Sequence, residues 1–501
     1  MTKTRKTAGG RKGAGTRRLP GVQPTTHQQT RRTAKGRTRA AKKASAVPLI
    51  LAAAESTQAN LHKINHLVVL MLENRSFDHM LGYLSLTGAL PEVDGLAPGM
   101  ENRYEGTSYP IHHLQQTAFA SNQDPCHRGA CVAEQVGAEN GGSVQNYAKT
   151  HPRDANPGRV MGYYDPTELL TYDHLAREFC VCDKWFSSVP GATWPNRLYA
   201  VTGQAAGSKD NKTPPLYKLP SFIRHLDTRH IAWRWYAHDI ATLRLIDDEY
   251  FMGHFTHFYH FEKGPSWLLG KPKTFLDHAA AGDLAAVSWI DPKYTDWGSP
   301  TAGNDDHPPA DVRAGQELVF MVYHALVTSP AWAQTVLVVL YDEHGGFYDH
   351  VSPHSVGPVA DDSAAFRTYG VRVPALIVSP WVGRGSVSHT VFDHTSIIKT
   401  VLLRFCQRRD GRIPDMGARV TAANHLGSLL TEPTARPPTA SATYQPVIDQ
   451  IAQWKSDQYR SQVHARSAKD HVPSQPLTDF QQGLLAAQQR LRRHGLPPGQ
   501  L

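Results

Sequence analysis

Four short, nearly continuous apolar runs punctuate this chain. The first, Ile64-Asn65-His66-Leu67-Val68-Val69-Leu70-Met71-Leu72, is halted by the polar cluster Glu73-Asn74-Arg75-Ser76-Phe77-Asp78-His79. The others cover residues 284–290, 335–340 and 373–378, and each ends in polar or turn residues. Runs of this length without alternation are the mark of strands covered on both faces. Over residues 311–326 the spacing changes, and Val312, Leu318, Val319, Val322, Tyr323 and Leu326 fall on one face of a helix. Strand and helix in alternation predict an α/β fold, with a central, mostly parallel sheet and helices on both faces.

The pattern also divides the chain. Residues 59–430 read as one catalytic domain, within which the Pro-, Gly- and His-rich stretch 205–310 reads as an insertion and long loops over the sheet. After residue 430 the chain turns to Pro, Thr and Ala, then offers amphipathic stretches near 445–462 and 478–493, so 431–501 reads as a peripheral helical C-terminal arm. No internal repeat is visible. With 501 residues, 40% hydrophobic and 19% charged, the chain is long enough for a large buried core, which excludes a wholly disordered protein. Mean hydropathy is −0.42. No run approaches the roughly 18 consecutive apolar residues of a spanning helix, so a soluble globular chain is expected.

Charge changes the picture only once it is located. The net +9 belongs to a tail: residues 1–45 carry fourteen Lys and Arg and no Asp or Glu, while the rest carries 39 basic and 44 acidic side chains, a balance of −5. Residues 1–58 therefore read as a disordered basic leader. Such a leader suits contact with an anionic surface, and no specific nucleic-acid or protein partner is implied. The apolar stretch 46–54 could serve as the core of an export signal, which leaves the compartment open between secreted or periplasmic and cytoplasmic. Cys126, Cys131, Cys180, Cys182 and Cys406 form an odd set without a CxxC pair, which argues against a zinc knuckle and predicts buried free thiols.

In open α/β sheets ligands bind beyond the carboxyl ends of the strands, so the residues that end the apolar runs are the first candidates. One run ends in Glu73-Asn74 and another in Tyr341-Asp342-Glu343-His344-Gly345-Gly346. If these strands are parallel neighbours, three carboxylates and a carboxamide meet at one edge, where like charges repel unless protonated or neutralised by a cation. Hard oxygen ligands suit a divalent metal ion of unknown identity; the plainer reading is a helix cap and a turn. Thr193-Trp194-Pro195-Asn196-Arg197 has the signature of a helix start, with Pro in the first turn. There Thr193 reads either as an N-cap or as a hydroxyl placed to attack phosphorus, with backbone donors favouring an anion. His127, His307, His350 and His394 sit in polar, turn-rich contexts, where imidazole can bind metal, donate to phosphate or protonate a leaving alkoxide. There is no Walker loop, GxGxxG, HExxH or GxSxG, so kinase, dehydrogenase, zincin and ordinary lipase readings lose their support.

Five motifs in order, namely residues 73–79, 193–197, Asn304-Asp305-Asp306-His307-Pro308, residues 341–350 and residues 388–396, together resemble the bacterial phosphoesterase family of phospholipases C and acid phosphatases. The resemblance covers about residues 60–430. It implies an alkaline-phosphatase-like α/β fold and hydrolysis of a phosphate ester, phospholipid head-group cleavage ahead of phosphomonoester cleavage. It implies that Glu73, Asn74, Thr193, Asp342 and Glu343 hold the metal, that Thr193 is the nucleophile, and that His127 and His307 contact phosphate or the leaving group. Asn196, Arg197, His350 and His394 would support them. A nucleic-acid- or membrane-surface-binding protein with a vestigial hydrolase core, acting through the basic tail, is the alternative from another class.

Overall fold

The computed structural model describes residues 57–238, 240–251, 256–262, 273–294, 303–356, 363–467 and 477–493. The expected basic leader, its export signal and its surface contact lie outside the described residues, but for residues 57 and 58.

Eight strands form the central sheet: β1 His66–Leu72, β2 Cys180–Cys182, β3 Trp233–Ala237, β4 Phe258–His260, β5 Val287–Ile290, β6 Thr335–Tyr341, β7 Ala375–Val378 and β8 Ser386–Ser388. Their order across the sheet is β8-β2-β7-β6-β1-β5-β3-β4. Only β7 runs against its two neighbours; every other pairing is parallel. The α/β class with a mostly parallel sheet is therefore what the chain adopts. All of β6 and all but the first residue of β1 are buried, so consecutive side chains on both faces are covered, as their unbroken apolar runs require. The run over 373–378 enters the ladder only at Ala375, because Pro374 has no N–H to give it.

Among the helices are α1 Phe77–Leu81, α2 Thr193–Thr202, α3 Val312–Val327, α4 Thr395–Phe405, α5 Ser441–Ser467 and α6 Asp479–Arg493. α3 is the amphipathic helix read from the spacing, and Asp311 caps it by accepting from the N–H of Arg313. No helix among the described residues is long and apolar enough to cross a membrane.

Three readings need correction. Residues 205–310 are not an insertion over the sheet, since they supply β3, β4 and β5, whose aromatic side chains (Trp233, Trp235, Tyr236, Trp289) fill the core beside β1. The 431–501 arm is not peripheral throughout: Tyr444, Val447, Phe480, Leu484 and Ala487 join the main core. Nor are all the cysteines free. Cys126 and Cys131 form a disulfide, while Cys180, Cys182 and Cys406 are buried thiols as expected.

Candidate active site

The register of the two central strands builds the site. Leu72 pairs with Tyr341 at the carboxyl ends of β1 and β6, so Glu73-Asn74 and Asp342-Glu343 emerge side by side. The condition set by the sequence, parallel neighbours, is met. The backbone locks the two turns together. The N–H groups of Asn74 and Glu343 both donate to Asp342 Oδ1, at 3.2 and 2.7 Å, and Arg75 N–H donates to the Glu343 carbonyl at 3.1 Å. Asn74 adopts a left-handed φ of 58°, a conformation its short polar side chain tolerates. Gly345, at φ 64°, must be glycine, because a Cβ there would lie 2.1 Å from the Asn74 carbonyl oxygen.

α2 begins at Thr193 and reaches the same edge through Arg197. Ala192, not Thr193, occupies the N-cap, so the hydroxyl of Thr193 is not spent as a cap; Thr193 Oγ1 is buried without a hydrogen-bond partner. One turn on, Arg197 shares its helix face. The Arg197 guanidinium lies 3.1 Å from Glu73 Oε1 and 3.2 Å from Asp342 Oδ2, and also donates to the carbonyls of Met71 and Leu72. The contact with Glu73 is one of charge, without the alignment of a hydrogen bond. Asn196 secures the loop before the helix, accepting from Val189 N–H and donating to the carbonyls of Val189, Gly191 and Ala192. The expected backbone anion site is largely spent, since Trp194 N–H donates to Asn211 and Pro195 has no N–H.

Two imidazoles stand beside these groups. His307 meets Glu73 Oε2 and Asp124 Oδ2, each at 3.1 Å. Burial alone would push its pKa down, but the Asp124 carboxylate, by charge and hydrogen bond, and Glu73 outweigh that and raise it well above the ordinary value. His127 Nδ1 lies 3.1 Å from Asn74 Nδ2. Against the pull of burial, the charges of Glu343 and Asp124 raise the His127 pKa as well. Both rings thus hold a proton more strongly than a free imidazole does. Burial raises Asp342 to about 8, with Glu73 and Glu343 adding to the effect and Arg197 opposing it.

Two other histidines lie outside this group. His394 accepts from Trp185 Nε1 at Nδ1 and, with that nitrogen taken, donates from Nε2 to the Asp342 carbonyl at 2.6 Å; it props the turn and does not face the reacting groups. His350 belongs to a separate network with Asp78, Asp94, Asp349 and Arg372, behind α1. Asp124 and Asp305 were not singled out from the sequence, although both lie in quoted or neighbouring motifs. Asp305 is 1% exposed with neither carboxylate oxygen hydrogen-bonded, and burial, then the charge of Glu73, pushes its pKa well up. An acid without a partner in sequence carries no signal of this kind.

Asn74 Oδ1, Thr193 Oγ1, Glu343 Oε1 and both oxygens of Asp305 are buried without hydrogen bonds, in a region where acids outnumber Arg197 and His307. Oxygens left unpaired in this way, amid excess negative charge, fit a hard divalent cation. Asp124, His127 and His307 form a second set whose ligand atoms lie within 4.8 Å of one another.

The model of the Phosphoesterase family matches residues 64–406, a span that contains every one of these residues and leaves out the C-terminal helices α5 and α6. The chain belongs to the phosphoesterase family. Hydrolysis of a phosphoric ester, the chemistry expected from the motifs, is the chemistry of that family. Among its relatives, "Non-specific phospholipase C1" of Arabidopsis thaliana is 35% identical, covering 68% of this chain and 66% of that protein. "Non-hemolytic phospholipase C" of Pseudomonas aeruginosa is 30% identical, covering 70% of this chain and 55% of that protein. The family is thus met in plants as well as bacteria. Among solved structures, the lipoteichoic acid synthase LtaP of Listeria monocytogenes is 13% identical with a TM-score of 0.35, covering 72% of this chain and 76% of that one.

Proposed function

We propose that this chain is a metal-dependent phosphoric-ester hydrolase that cleaves phospholipid head groups in the manner of a phospholipase C, with Thr193 as nucleophile. The observation that carries the reading is the buried, uncapped and unpartnered Thr193 hydroxyl, one turn from an arginine that holds Glu73 and Asp342. Glu73, Asn74, Thr193, Asp342 and Glu343 would hold a divalent cation, which when bound lowers the pKa of the hydroxyl and offsets charge growing on the phosphoryl oxygens.

The chain's own residues do the rest. Arg197 keeps Glu73 and Asp342 in place, and Asn196 fixes the loop that aims Thr193. Thr193 Oγ gives its hydroxyl proton to water as its bond to phosphorus forms and the bond from phosphorus to the glycerol oxygen breaks, and protonated His307 or His127 gives its proton to the departing alcohol, to regain one from the water that attacks next. Water then cleaves the phosphothreonine ester, returning the hydroxyl and releasing the head-group phosphate.

The test compares p-nitrophenylphosphorylcholine with p-nitrophenyl phosphate, using wild type and Thr193→Ala, before and after chelation. Preference for the choline diester, falling at least about a thousandfold in Thr193→Ala with an unchanged thermal midpoint, is the expected result. Preference for the monoester would make the chain an acid phosphatase, and turnover independent of Thr193 would end the proposal. No turnover of either, nor of dihexanoyl-phosphatidylcholine, would favour the binding-protein reading.

A further inference from the structure

The site is closed. Thr193, Asn74 and Glu343 are 0% exposed, His307 2% and His127 4%, so a substrate reaches them only after something moves. Part of the cover comes from far along the chain, beyond the last residue that the family model matches. α6 starts directly on the site: Asp479 Oδ1 lies 3.9 Å from His127 Nε2, and the Phe480 ring lies 5.4 Å from Trp194, 5.3 Å from Tyr294 and 6.4 Å from His307. Leu484 and Ala487 continue the face of Phe480 along the helix and are equally buried.

The bed under this face is apolar and aromatic. Tyr217 packs on Trp194, and Pro215 lies under Gly483. It adjoins the groups that would handle phosphate, and it now holds the hydrocarbon of a Phe, a Leu and an Ala. α6 nevertheless leaves the polar floor unsatisfied: His127 Nε2 is buried without a hydrogen bond, and the Asp479 carboxylate stops short of it. A phospholipid offers both halves at once, chains for the bed and a phosphate for the imidazole.

We propose that α6 is an internal occupant of the bed that takes the acyl chains of a phospholipid, so that the chains displace the Phe480-Leu484-Ala487 face when the lipid enters. This rests on the phosphoester-hydrolase reading and assigns its substrate an apolar subsite. Without lipid the helix keeps the site shut; with lipid it swings away, and a free head-group phosphate leaves it in place.

Three measurements on the full-length chain test this. Gly483 sits against the Pro215 ring, so Pro215→Cys with Gly483→Cys puts one thiol on the helix and one on the bed, to be joined by a short bifunctional methanethiosulfonate. Cross-linking should lower hydrolysis of dihexanoyl-phosphatidylcholine at least about 20-fold and dithiothreitol should restore it, with wild type carried through both treatments to account for Cys126–Cys131; a cross-linked protein as fast as the free one overturns the proposal. Phe480→Ala should raise kcat/KM for p-nitrophenylphosphorylcholine about fivefold, whereas a fall would make Phe480 part of the working site and sink the idea. Amide exchange on the wild type separates this inference from the hydrolase reading. Residues 479–493 should exchange at least about tenfold faster with dihexanoyl-phosphatidylcholine than without it, and no faster with phosphocholine. Unchanged exchange with the lipid overturns the proposal whether or not any ester is turned over. Opening by lipid in a chain that hydrolyses nothing would keep it and dismiss the hydrolase.

Discussion

Arg197 shows how much one side chain can organise. Its guanidinium is buried and meets Glu73, Asp342 and two carbonyls at the end of β1. A lysine could supply the charge but not the fork that spans two acids. Arg197→Met leaves two buried carboxylates without their counter-charge and should cost about 3–5 kcal/mol in urea unfolding, with Arg197→Lys recovering only part of it. Of the residues predicted to act together, Glu73, Asn74, His127, His307, Asp342 and Glu343 meet in one buried region at the ends of β1 and β6, and buried Thr193 stands one helical turn from the Arg197 that reaches it. His394 supports that region from the Asp342 carbonyl, while His350 lies in a network of its own; a histidine in a polar motif looks the same in sequence whether it faces a substrate, a carbonyl or a salt-bridge network.

At the scale of the element, α2 begins on a loop pinned by a single carboxamide. Asn196 reaches back to Val189, Gly191 and Ala192 while Arg197, next along the helix, faces the acids. Asn196→Ala keeps a good helix former but frees the loop that aims Thr193. A fall in kcat of about 10- to 100-fold with KM little changed, at unaltered far-ultraviolet circular dichroism, is expected. The start of α2 was legible in Thr193-Trp194-Pro195, yet the cap lies one residue earlier than a Thr would suggest, which is what leaves its hydroxyl free.

For the whole molecule, the proposed metal site and the buried titrating groups each predict how stability responds to solution conditions. The unpaired acid and amide oxygens around Asp342 and Glu343 predict that adding Mg, Ca, Mn or Zn to chelated protein raises the thermal midpoint by several degrees, and that Glu343→Gln removes most of the response. Around His350 the balance is one of protons. Burial pulls its pKa down, but the hydrogen bond and charge of Asp78, with the charge of Asp349, raise it to about 9 from 6.5. A raised value means that the protonated ring stabilises the fold below about pH 6.5 and that this contribution is lost as pH rises through 9. Unfolding free energy should therefore fall by about 1–3 kcal/mol between pH 6.5 and 9.5, and His350→Asn should flatten that slope.

What the sequence alone determined is the local and the periodic: apolar runs that read as covered strands, an amphipathic helix over 311–326, the polar residues that end β1 and β6, and the helix start at Thr193. These depend on neighbours along the chain, which a sequence displays. Tertiary structure decided the rest. It made β1 and β6 adjacent and parallel, drew β3 and β4 from a stretch that looked like loops, and carried a C-terminal helix back across the chain onto His127 and Trp194. Such contacts arise from the burial of faces that meet only after folding, and spacing along the chain carries no record of which distant face each one finds.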